Sequence, residues 1–452
     1  MPDTPEADEY REVERELLAR WPETKLDPSL DRIAGLCDLL GEPQKAYPVV
    51  HLTGTNGKTS TARMIDSLLR GLGLRTGRAT SPHVESMTER ITIDGEPLTP
   101  ERFVEVYREV APYAGIIDNS GGYPISFFEF ITAMQFAAFA DAPVDAAIIE
   151  VGMGGTWDAT NVADAKVAVI TPIAVDHASY LGDSPGDIAH EKSGIIKAGS
   201  IAVIAQQPED AAEVLLRHAE EVGATVAREG VNFGVIDRAP GVGGQLISVQ
   251  GLGAKYEEIF LPLHGAHQAQ NAALAIAAVE AFAGGEDRDG GLDVEVVRAA
   301  LSGTSSPARL EVVRRSPTVL VDAAHNPHGA QATADALQES FNFSPLIGVV
   351  AVMADKDVEG LLGAFEPVMA TIVCTQNSTP RSMRAGVLAD VARGVFGVDR
   401  VEVVPRLDEA IEKAVHLAEG GQVDDIGWGG GGVLVTGSVI TAGEARMLLG
   451  AN

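Results

Sequence analysis

A glycine-rich segment between an apolar run and an amphipathic helix constrains this sequence most. The run Val49–Leu52 is followed by TGTNGKTS (53–60), and Met64, Leu68 and Leu69 then recur at helical spacing. This order predicts a strand, a tight turn and a helix, the unit from which open parallel sheets are built. Backbone N–H groups at such a turn, together with the positive end of the helix, favour an anion.

The chemistry of this turn favours a nucleoside triphosphate. Lys58 suits the β- and γ-phosphates, and the hydroxyl of Thr59 suits a magnesium ion. The spacing departs from the usual G-x-x-x-x-G-K-[ST] pattern, because the position five before Gly57 is Leu52. A plain strand–helix turn rich in small residues is the alternative. The predicted ATP-binding residues of the turn are Gly54, Thr55, Asn56, Gly57, Lys58, Thr59 and Ser60.

Strand-like apolar runs alternate with helical segments along most of the chain. Examples are AAIIE (146–150) and TVLV (318–321), each followed by a polar or glycine-rich turn. The alternation predicts an α/β protein with a doubly wound, mostly parallel sheet and a second, smaller Rossmann-like domain. Short alternating stretches between 231 and 263 predict a small antiparallel β insertion. The small polar segment 303–308 predicts a hinge, with an N-terminal ATP-binding domain at 1–302 and a C-terminal Rossmann-like domain at 309–452.

Composition disfavours several classes of partner. The 34 basic and 64 acidic residues give a net charge of −30, which argues against a nucleic-acid backbone and an anionic membrane surface. No apolar run approaches the ~20 residues of a membrane helix, and the acidic, polar start is unlike a signal peptide. Cys37 and Cys374, the two cysteines, lie far apart, which indicates a reducing compartment. We expect a cytoplasmic monomer.

Two candidate metal ligands follow predicted strands. Glu150 ends AAIIE, and the carboxyl ends of strands are where open α/β sheets bind ligands. A carboxylate there suits Mg²⁺, which prefers oxygen ligands. His177 follows VAVITPIAVD in the same way. The alternatives are a surface acid for Glu150 and an ordinary polar histidine for His177.

A series of ordered motifs resembles the folylpolyglutamate synthase/dihydrofolate synthase family of the Mur ligase superfamily. The shortened turn TGTNGKTS resembles the P-loop of that superfamily. The other motifs, in chain order, are Ser81-Pro82-His83 with Glu89-Arg90-Ile91, Phe127-Phe128-Glu129, Glu150-Val151-Gly152-Met153-Gly154-Gly155 with Asp158-Ala159-Thr160-Asn161, Asp176-His177 with Leu181-Gly182, Glu191-Lys192-Ser193-Gly194, His267-Gln268 with Asn271, Arg309-Leu310-Glu311, Asp322-Ala323-Ala324-His325-Asn326-Pro327, and Asp355-Lys356-Asp357.

The resemblance implies an ATP-dependent ligase of folate biosynthesis. Such an enzyme adds L-glutamate to dihydropteroate, to a reduced folate or to both, through an acyl phosphate. It also implies two magnesium ions, one held by Thr59, Ser81 and Glu150 and the other by Glu150, His177 and Lys192. An ammonium repels Mg²⁺, and the matching lysine of the family is carbamylated, so Lys192 is expected as a carbamate. The alternative is that Lys192 pairs with Glu191 or a phosphate.

The remaining site residues are also implied by the resemblance. Phe128 is expected against the pterin ring with Asp158 and Ala159 nearby, although Phe127 and Phe128 equally suit a helix core. The expected catalytic residues are Lys58, Lys192 and His325. Further ATP contacts are expected from Asn271, Arg309 and Asp322, and glutamate contacts from His325 and Lys356, of which Lys356 equally suits a surface ion pair. Ala308 and Ala323 stand where the family usually has glycine.

Two other functions compete with this interpretation. A cell-wall Mur ligase shares the P-loop and the two following domains, but it carries a separate domain for its UDP moiety, and 52 residues precede Thr53 here. A regulatory P-loop ATPase or GTPase would bind partners without forming an amide, and the guanine-specific N-K-x-D motif is not apparent. The sequence leaves open which pterin acid is preferred.

Overall fold

The computed structural model describes residues 5–22, 28–284, 291–420 and 430–451, with side chains from residue 7 onward. The chain divides into two compact units. The first comprises Met1–Asp237, Ile247–Ile259 and Gln270–Thr304, and the second comprises Arg238–Leu246, Phe260–Ala269 and Ser305–Asn452. The segments 238–246 and 260–269, which the predicted domain 1–302 includes, therefore cluster with the second unit.

A mixed, mostly parallel sheet forms the centre of the first unit. Its strands are β1 (Val49–Thr53), β2 (Thr76–Ala79), β3 (Ile91–Ile93), β4 (Glu96–Pro97), β5 (Ala146–Glu150), β6 (Ala165–Ile170), β7 (Ile201–Ile204) and β8 (Thr225–Arg228). In the described residues they form an eight-stranded sheet of order β4-β3-β2-β5-β1-β6-β7-β8. Strand β3 pairs with both β2 and β4 in antiparallel fashion, and the remaining pairs of this sheet in the described residues are parallel. This arrangement confirms the predicted α/β fold with a mostly parallel sheet.

Helices cover both faces of this sheet. They are α1 (Pro5–Leu18), α2 (Asp31–Leu39), α3 (Lys58–Gly71), α4 (Pro100–Asp118), α5 (Phe127–Asp141), α6 (Ala178–Leu181), α7 (Pro185–Lys192), α8 (Glu209–Val222), α9 (Ala266–Gly284) and α10 (Val294–Ser302). Helices α1, α2, α4 and α5 share one apolar core with Val49 of β1 and Ile149 of β5. Helix α3 packs on β1, β2 and β5 and against α10, so the sheet is buried between two layers.

A small sheet and the second unit follow. The small sheet consists of β9 (Gly234–Gly241), β10 (Gly244–Gln250) and β11 (Lys255–Leu261) in the order β11-β10-β9. The second unit continues with strands β12 (Glu311–Arg315), β13 (Thr318–Val321), β14 (Leu346–Val350), β15 (Thr371–Cys374), β16 (Val401–Val403) and β17 (Gly432–Thr436), and with helices α11 (Pro327–Ser340), α12 (Val358–Phe365), α13 (Ala385–Phe396), α14 (Leu407–Gly420) and α15 (Val439–Leu449). Its sheet has the order β12-β13-β17-β14-β15-β16, and β12 is its antiparallel edge strand.

Local sequence signals explain where the helices begin. Ser126 accepts a hydrogen bond from the Glu129 N–H, and Glu129 accepts one from the Ser126 N–H, which is the reciprocal cap of an α-helix. Asn326 caps α11 in a similar way, with Pro327 in the first turn. Within the described residues, no helix combines the length and the apolar character that crossing a bilayer requires.

The contact between β2 and α5 yields a stability prediction. A Cβ added at Gly77 would lie 2.5 Å from Cδ1 of Phe139, and both residues are buried. Gly77→Ala should therefore lower the free energy of unfolding by about 1–3 kcal/mol through overpacking. Thermal unfolding measures the change. The control is Gly115→Ala in α4, where a Cβ meets nothing within 4 Å, so its Tm should be unchanged or higher. Equal Tm values for Gly77→Ala and the parent protein would contradict this packing.

Candidate active site

The turn after β1 lies against the segment after β6. The Thr55 N–H donates to the Pro172 carbonyl at 3.0 Å, and the Thr55 hydroxyl donates to the Ala174 carbonyl at 2.8 Å. Strand β1 lies between β5 and β6 and runs parallel to both, so the residues that follow these strands meet at one edge of the sheet. This is the edge at which open α/β sheets bind ligands.

Two glycines allow the turn to lie this close to its neighbours. Gly54 has a φ of +143°, and an added Cβ would lie 1.9 Å from the Thr171 hydroxyl oxygen. Gly57 has a φ of +87°, and an added Cβ would lie 2.6 Å from Oδ1 of Asn271. Asn271 of α9 therefore lies directly against the turn. The structure thus brings together two sets of residues that were predicted to contact ATP.

The ammonium of Lys58 lies over the turn. Its Nζ donates to the carbonyl of Gly54 at 3.0 Å and to that of Thr55 at 3.3 Å. Lys58 is also the first residue of α3, so its charge adds to the partial positive charge of the helix N-terminus. Asn56 is half-buried and Ser60 is buried in the same segment. The turn concentrates positive potential at the sheet edge.

Oxygen-bearing side chains from three segments lie at this edge. The Thr59 hydroxyl lies 3.0 and 3.1 Å from the two carboxylate oxygens of Glu150, which is buried. Ser81 follows β2, the neighbour of β5, and its hydroxyl oxygen is buried without a hydrogen-bond partner in the described residues. Two hydroxyls and a carboxylate fit a hard cation such as Mg²⁺. The ranges described contain no group of three or more His, Cys, Asp or Glu residues that could hold a metal.

His177 occupies the start of α6 in an uncommon conformation. Its φ of +53° lies in the left-handed region, which residues other than glycine rarely adopt. The His177 N–H donates to Oδ1 of Asp176 at 2.8 Å, and the side chain is half-buried. Such backbone conformations cluster at functional sites.

Lys192 is buried at the end of α7. Burial and the positive charge of Lys58 together lower the pKa of its ammonium to about 7, while Asp158, Asp176 and Glu191 act in the opposite direction. A large share of this amine is therefore neutral near pH 7, unlike an ordinary lysine. A neutral amine is the form that reacts with carbon dioxide, so the environment fits the predicted carbamate.

The glycine-rich turn after β5 packs on the end of α7. A Cβ at Gly155 would lie 2.8 Å from the Glu191 carbonyl oxygen and 3.0 Å from the Cα of Lys192. The Thr156 N–H donates to the same carbonyl at 3.0 Å, and Oε1 of Glu191 accepts from the Trp157 N–H at 3.2 Å. These contacts fix Lys192 relative to the segment that begins at Glu150.

The two adjacent phenylalanines at the start of α5 have different environments. Phe127 is buried in the apolar core of the first unit, as the alternative interpretation held for both rings. Phe128 is half-buried, and its Cζ would lie 2.6 Å from a Cβ at Gly152. Phe128 therefore contacts the glycine-rich turn while it also packs against the edge of the apolar core, and its contact with a pterin stays a prediction.

Asp158 stabilises that same turn. Its Oδ2 accepts from the Met153 N–H at 3.0 Å and its Oδ1 from the Thr160 N–H at 3.0 Å. The carboxyl is fully buried, which raises its pKa, and these hydrogen bonds oppose the increase. Ala159 is buried beside it. The contact of Asp158 and Ala159 with a pterin stays a prediction.

The second unit holds Arg309 and Asp322. Asp322 is buried, and its oxygens accept from the N–H groups of Leu310 and Ala324, both at 2.9 Å. Arg309 lies between two residues with left-handed φ values, +57° at Ala308 and +45° at Leu310. The alanine at 308 therefore occupies a conformation that suits glycine, which is the residue the family usually has there.

His325 and Lys356 lie elsewhere in the second unit. The Nδ1 of His325 is 3.0 Å from the carbonyl oxygen of Ala323. Lys356 is half-buried, and the aspartates beside it have other contacts. Asp355 pairs with Arg381 at 2.9 Å, and Asp357 caps α12. The roles of His325 and Lys356 toward glutamate stay predictions.

Sequence reasoning assigned no role to Glu89 or His267. The Glu89 carboxylate accepts from the N–H groups of Val84, Glu85 and Ser86 at 2.7 to 2.9 Å, which orders the loop that follows Ser81. The S-x-x-E spacing at 86–89 is a capping signature and could have revealed it. His267 is fully buried, and burial is the main cause that lowers its pKa to about 4, with Asp322 and Arg309 acting in opposite directions.

Comparison with known proteins settles the family. Residues 118–279 match the Mur ligase middle domain, and residues 308–439 match the Mur ligase glutamate ligase domain. The chain is 50% identical to the dihydrofolate synthase/folylpolyglutamate synthase of Mycobacterium tuberculosis, over 97% of this chain and 93% of that protein. The chain belongs to the dihydrofolate synthase/folylpolyglutamate synthase family of Mur ligases.

Other members of this family agree in sequence and in fold. The folylpolyglutamate synthase of Lacticaseibacillus casei is 33% identical over 78% of this chain and 82% of that protein. The solved structure of Mycobacterium tuberculosis folylpolyglutamate synthase complexed with ADP has a TM-score of 0.95 and 49% identity, covering 99% of each chain. The family and the two-domain Mur ligase fold predicted from the motifs are thereby confirmed.

The close approach of Gly54 to Thr171 yields a prediction. Gly54→Ala should cost clearly more stability than the ~1 kcal/mol that a left-handed alanine costs, because the new Cβ overlaps the Thr171 hydroxyl. Adding Thr171→Ala should restore little, since the Thr171 backbone oxygen also lies 2.8 Å away. Thermal unfolding measures both variants.

A matched glycine separates strain from overlap. Gly73→Ala is the control, since Gly73 has a φ of +83° and nothing within 4 Å of an added Cβ. If Gly54→Ala lowers the thermal stability no more than Gly73→Ala does, the turn does not lie against Thr171.

Proposed function

We propose that the protein is an ADP-forming ligase that joins L-glutamate to dihydropteroate, to a reduced folate or to both. The observation that carries the proposal is the grouping of Lys58, Thr59 and Glu150 around a glycine turn at the carboxyl edge of the sheet. The activities of the relatives, dihydrofolate synthase and folylpolyglutamate synthase, support the same reaction class.

The first step forms an acyl phosphate. A carboxylate oxygen of the pterin acid attacks the γ-phosphorus of ATP, the bond to the β–γ bridging oxygen breaks, and ADP leaves. Lys58 and the N–H groups of the turn stabilise charge on the phosphate oxygens, and this electrostatic term is usually the largest in phosphoryl transfer. Asn271 lies against Gly57, so we assign it to the nucleotide as well.

The second step forms the amide. The neutral α-amine of L-glutamate attacks the acyl carbon, the carbon–oxygen bond to phosphate breaks, and inorganic phosphate and the amine's proton are released. In the second unit, the proposed ATP contacts are Arg309 and Asp322, and the proposed glutamate contacts are His325 and Lys356. We propose 303–308 as the hinge between domains at 1–302 and 309–452.

We propose that two magnesium ions bind at the sheet edge. Thr59, Ser81 and Glu150 would hold one, and Glu150, His177 and a carbamylated Lys192 would hold the other. Bound there, Mg²⁺ would neutralise phosphate charge. Two observations support these assignments: the Ser81 hydroxyl has no hydrogen-bond partner among the residues that the structure describes, and the pKa of Lys192 is lowered.

Folate binding is assigned to the glycine-rich turn and α5. The half-buried ring of Phe128 is proposed to pack on the pterin, with Asp158 and Ala159 beside it.

The two cysteines, Cys37 and Cys374, are unpaired and buried, which suits a reducing compartment. We therefore propose that the reaction takes place in the cytoplasm. We also propose that the protein acts as a monomer.

The proposed function is tested by measuring substrate dependence and the role of Lys58 together. With ATP, formation of more than one equivalent of ADP per enzyme should require both L-glutamate and a pterin acceptor, either dihydropteroate or tetrahydrofolate. The two acceptors compared side by side give the preference. Lys58→Met removes the charge and should lower kcat/KM by about 10²–10³-fold.

The same substitution at a surface lysine is the control. Lys45→Met removes an exposed ion pair with Glu42 and should leave turnover unchanged. Release of ADP over many turnovers without a pterin acceptor and glutamate would favour a regulatory ATPase, and full turnover by Lys58→Met would remove the phosphate role of the turn.

The carbamate at Lys192 has its own test. Carbamylation needs the neutral amine, and with a pKa of about 7 the neutral fraction of Lys192 increases through neutral pH. Carbon dioxide added to carbonate-depleted enzyme should therefore restore more activity at about pH 8 than at about pH 6. Lys192→Ala should be inactive and regain activity with formate or acetate, which replace the lost carboxylate. Nuclear magnetic resonance with isotopically labelled bicarbonate should show a carbamate carbon that Lys192→Ala lacks.

Lys197 provides the comparison for this test. Its Nζ donates to the carbonyls of Asn161 and Ala163, so Lys197→Ala should not respond to small carboxylates. Full activity from enzyme whose Lys192 is demonstrably unmodified would contradict the assignment.

A further inference from the structure

A fully buried histidine lies in the central strand behind the site. His51 of β1 pairs with Ile149 of β5 and Ala168 of β6, and none of its surface is exposed. Burial lowers its pKa to about 3, so the imidazole is neutral at ordinary pH. The reaction steps proposed above do not use it.

A chain of hydrogen bonds leads from this histidine toward the site. Nε2 of His51 lies 2.8 Å from the Thr160 hydroxyl oxygen, and that hydroxyl donates to Oδ1 of Asp158 at 2.5 Å. A hydroxyl has one hydrogen to donate, so it accepts from His51, and Nε2 carries the imidazole proton. Nδ1 then bears the lone pair, and it is buried without a hydrogen-bond partner in the described residues.

The chain ends on the glycine-rich turn. Oδ2 of Asp158 accepts from the Met153 N–H at 3.0 Å, and the Gly152 backbone also hydrogen-bonds this carboxyl. Gly152 is the residue against which the ring of Phe128 packs. Three buried polar side chains thus connect the middle of β1 with the surface proposed to bind the pterin.

The cost of this arrangement argues for a role beyond filling the core. Val49 and Ile149 share a face of the sheet with His51, and both are apolar and fully buried, so an apolar side chain would suit the position. A buried imidazole with an unpartnered nitrogen costs free energy that an apolar residue would not. What the imidazole adds is a donor that holds the Thr160 hydroxyl in one orientation.

We propose that His51 is a positioning residue for the pterin side of the site. It acts through Thr160 and Asp158 to fix the turn at Gly152 and Met153, and this inference rests on the proposed function. The turn after β1 binds ATP through other groups, so loss of the chain should weaken acceptor binding selectively.

Two matched pairs of variants test the proposal. His51→Met keeps the volume and removes the donor, whereas His51→Gln keeps an N–H near the position of Nε2. Thr160→Val removes the hydroxyl at equal shape, and Thr160→Ser keeps it. His51→Met and Thr160→Val should raise the KM for the pterin acceptor about tenfold, as expected for one lost hydrogen bond to a charged network. The KM for ATP should stay unchanged, and His51→Gln and Thr160→Ser should restore most of the loss.

The outcomes separate this inference from the function on which it rests. Equal changes in both KM values, or a lower Tm and kcat with both KM values unchanged, would mean a merely structural role and overturn the proposal. If His51→Met does not fold, the two Thr160 variants decide by the same criterion. If the parent protein forms no amide with either acceptor, the proposed function fails and the inference with it; if it forms the amide but shows no selective change, the inference alone fails.

Discussion

The hydrogen bonds between the Thr59 hydroxyl and the Glu150 carboxylate connect the two elements on which the site depends. Thr59 lies in the first turn of α3, and Glu150 is the last residue of β5. Their proximity follows from the parallel register that pairs Leu52 with Glu150, because it places the end of β5 beside the turn that starts α3. A shift of this register would separate the carboxylate from the nucleotide turn.

Buried charge near this contact is balanced locally. The chain carries a net charge of −30, yet the positive charge of Lys58 adds to burial in lowering the pKa of Lys192. Carboxylates at Asp158, Asp176 and Glu191 oppose the effect of burial on Lys192. Behind the sheet edge, burial lowers the pKa of Arg78, and Asp66 and Glu150 oppose it. The electrostatics of the site are therefore set by a few close groups and not by the net charge.

The fold and the nucleotide turn were accessible from the sequence because both depend on local pattern. Apolar runs such as AAIIE predicted buried parallel strands, and TGTNGKTS predicted a phosphate-binding turn. The contact of Asn271 with Gly57 joins distant segments, so only resemblance indicated it. The different environments of Phe127 and Phe128 could not be predicted, because two adjacent phenylalanines are indistinguishable in the sequence. The left-handed conformation of Ala308 and the chain from His51 to Asp158 also depend on tertiary contacts that no local spacing encodes.

The central claim is that the turn at 54–59 directs the γ-phosphate of ATP to a carboxylic acid before the amide forms. The most direct measurement uses a pterin acid whose carboxylate carries a heavy oxygen isotope and follows where that oxygen goes. The account predicts that the inorganic phosphate released with each amide contains one oxygen from the carboxylate. Amide formation accompanied by unlabelled phosphate would contradict it.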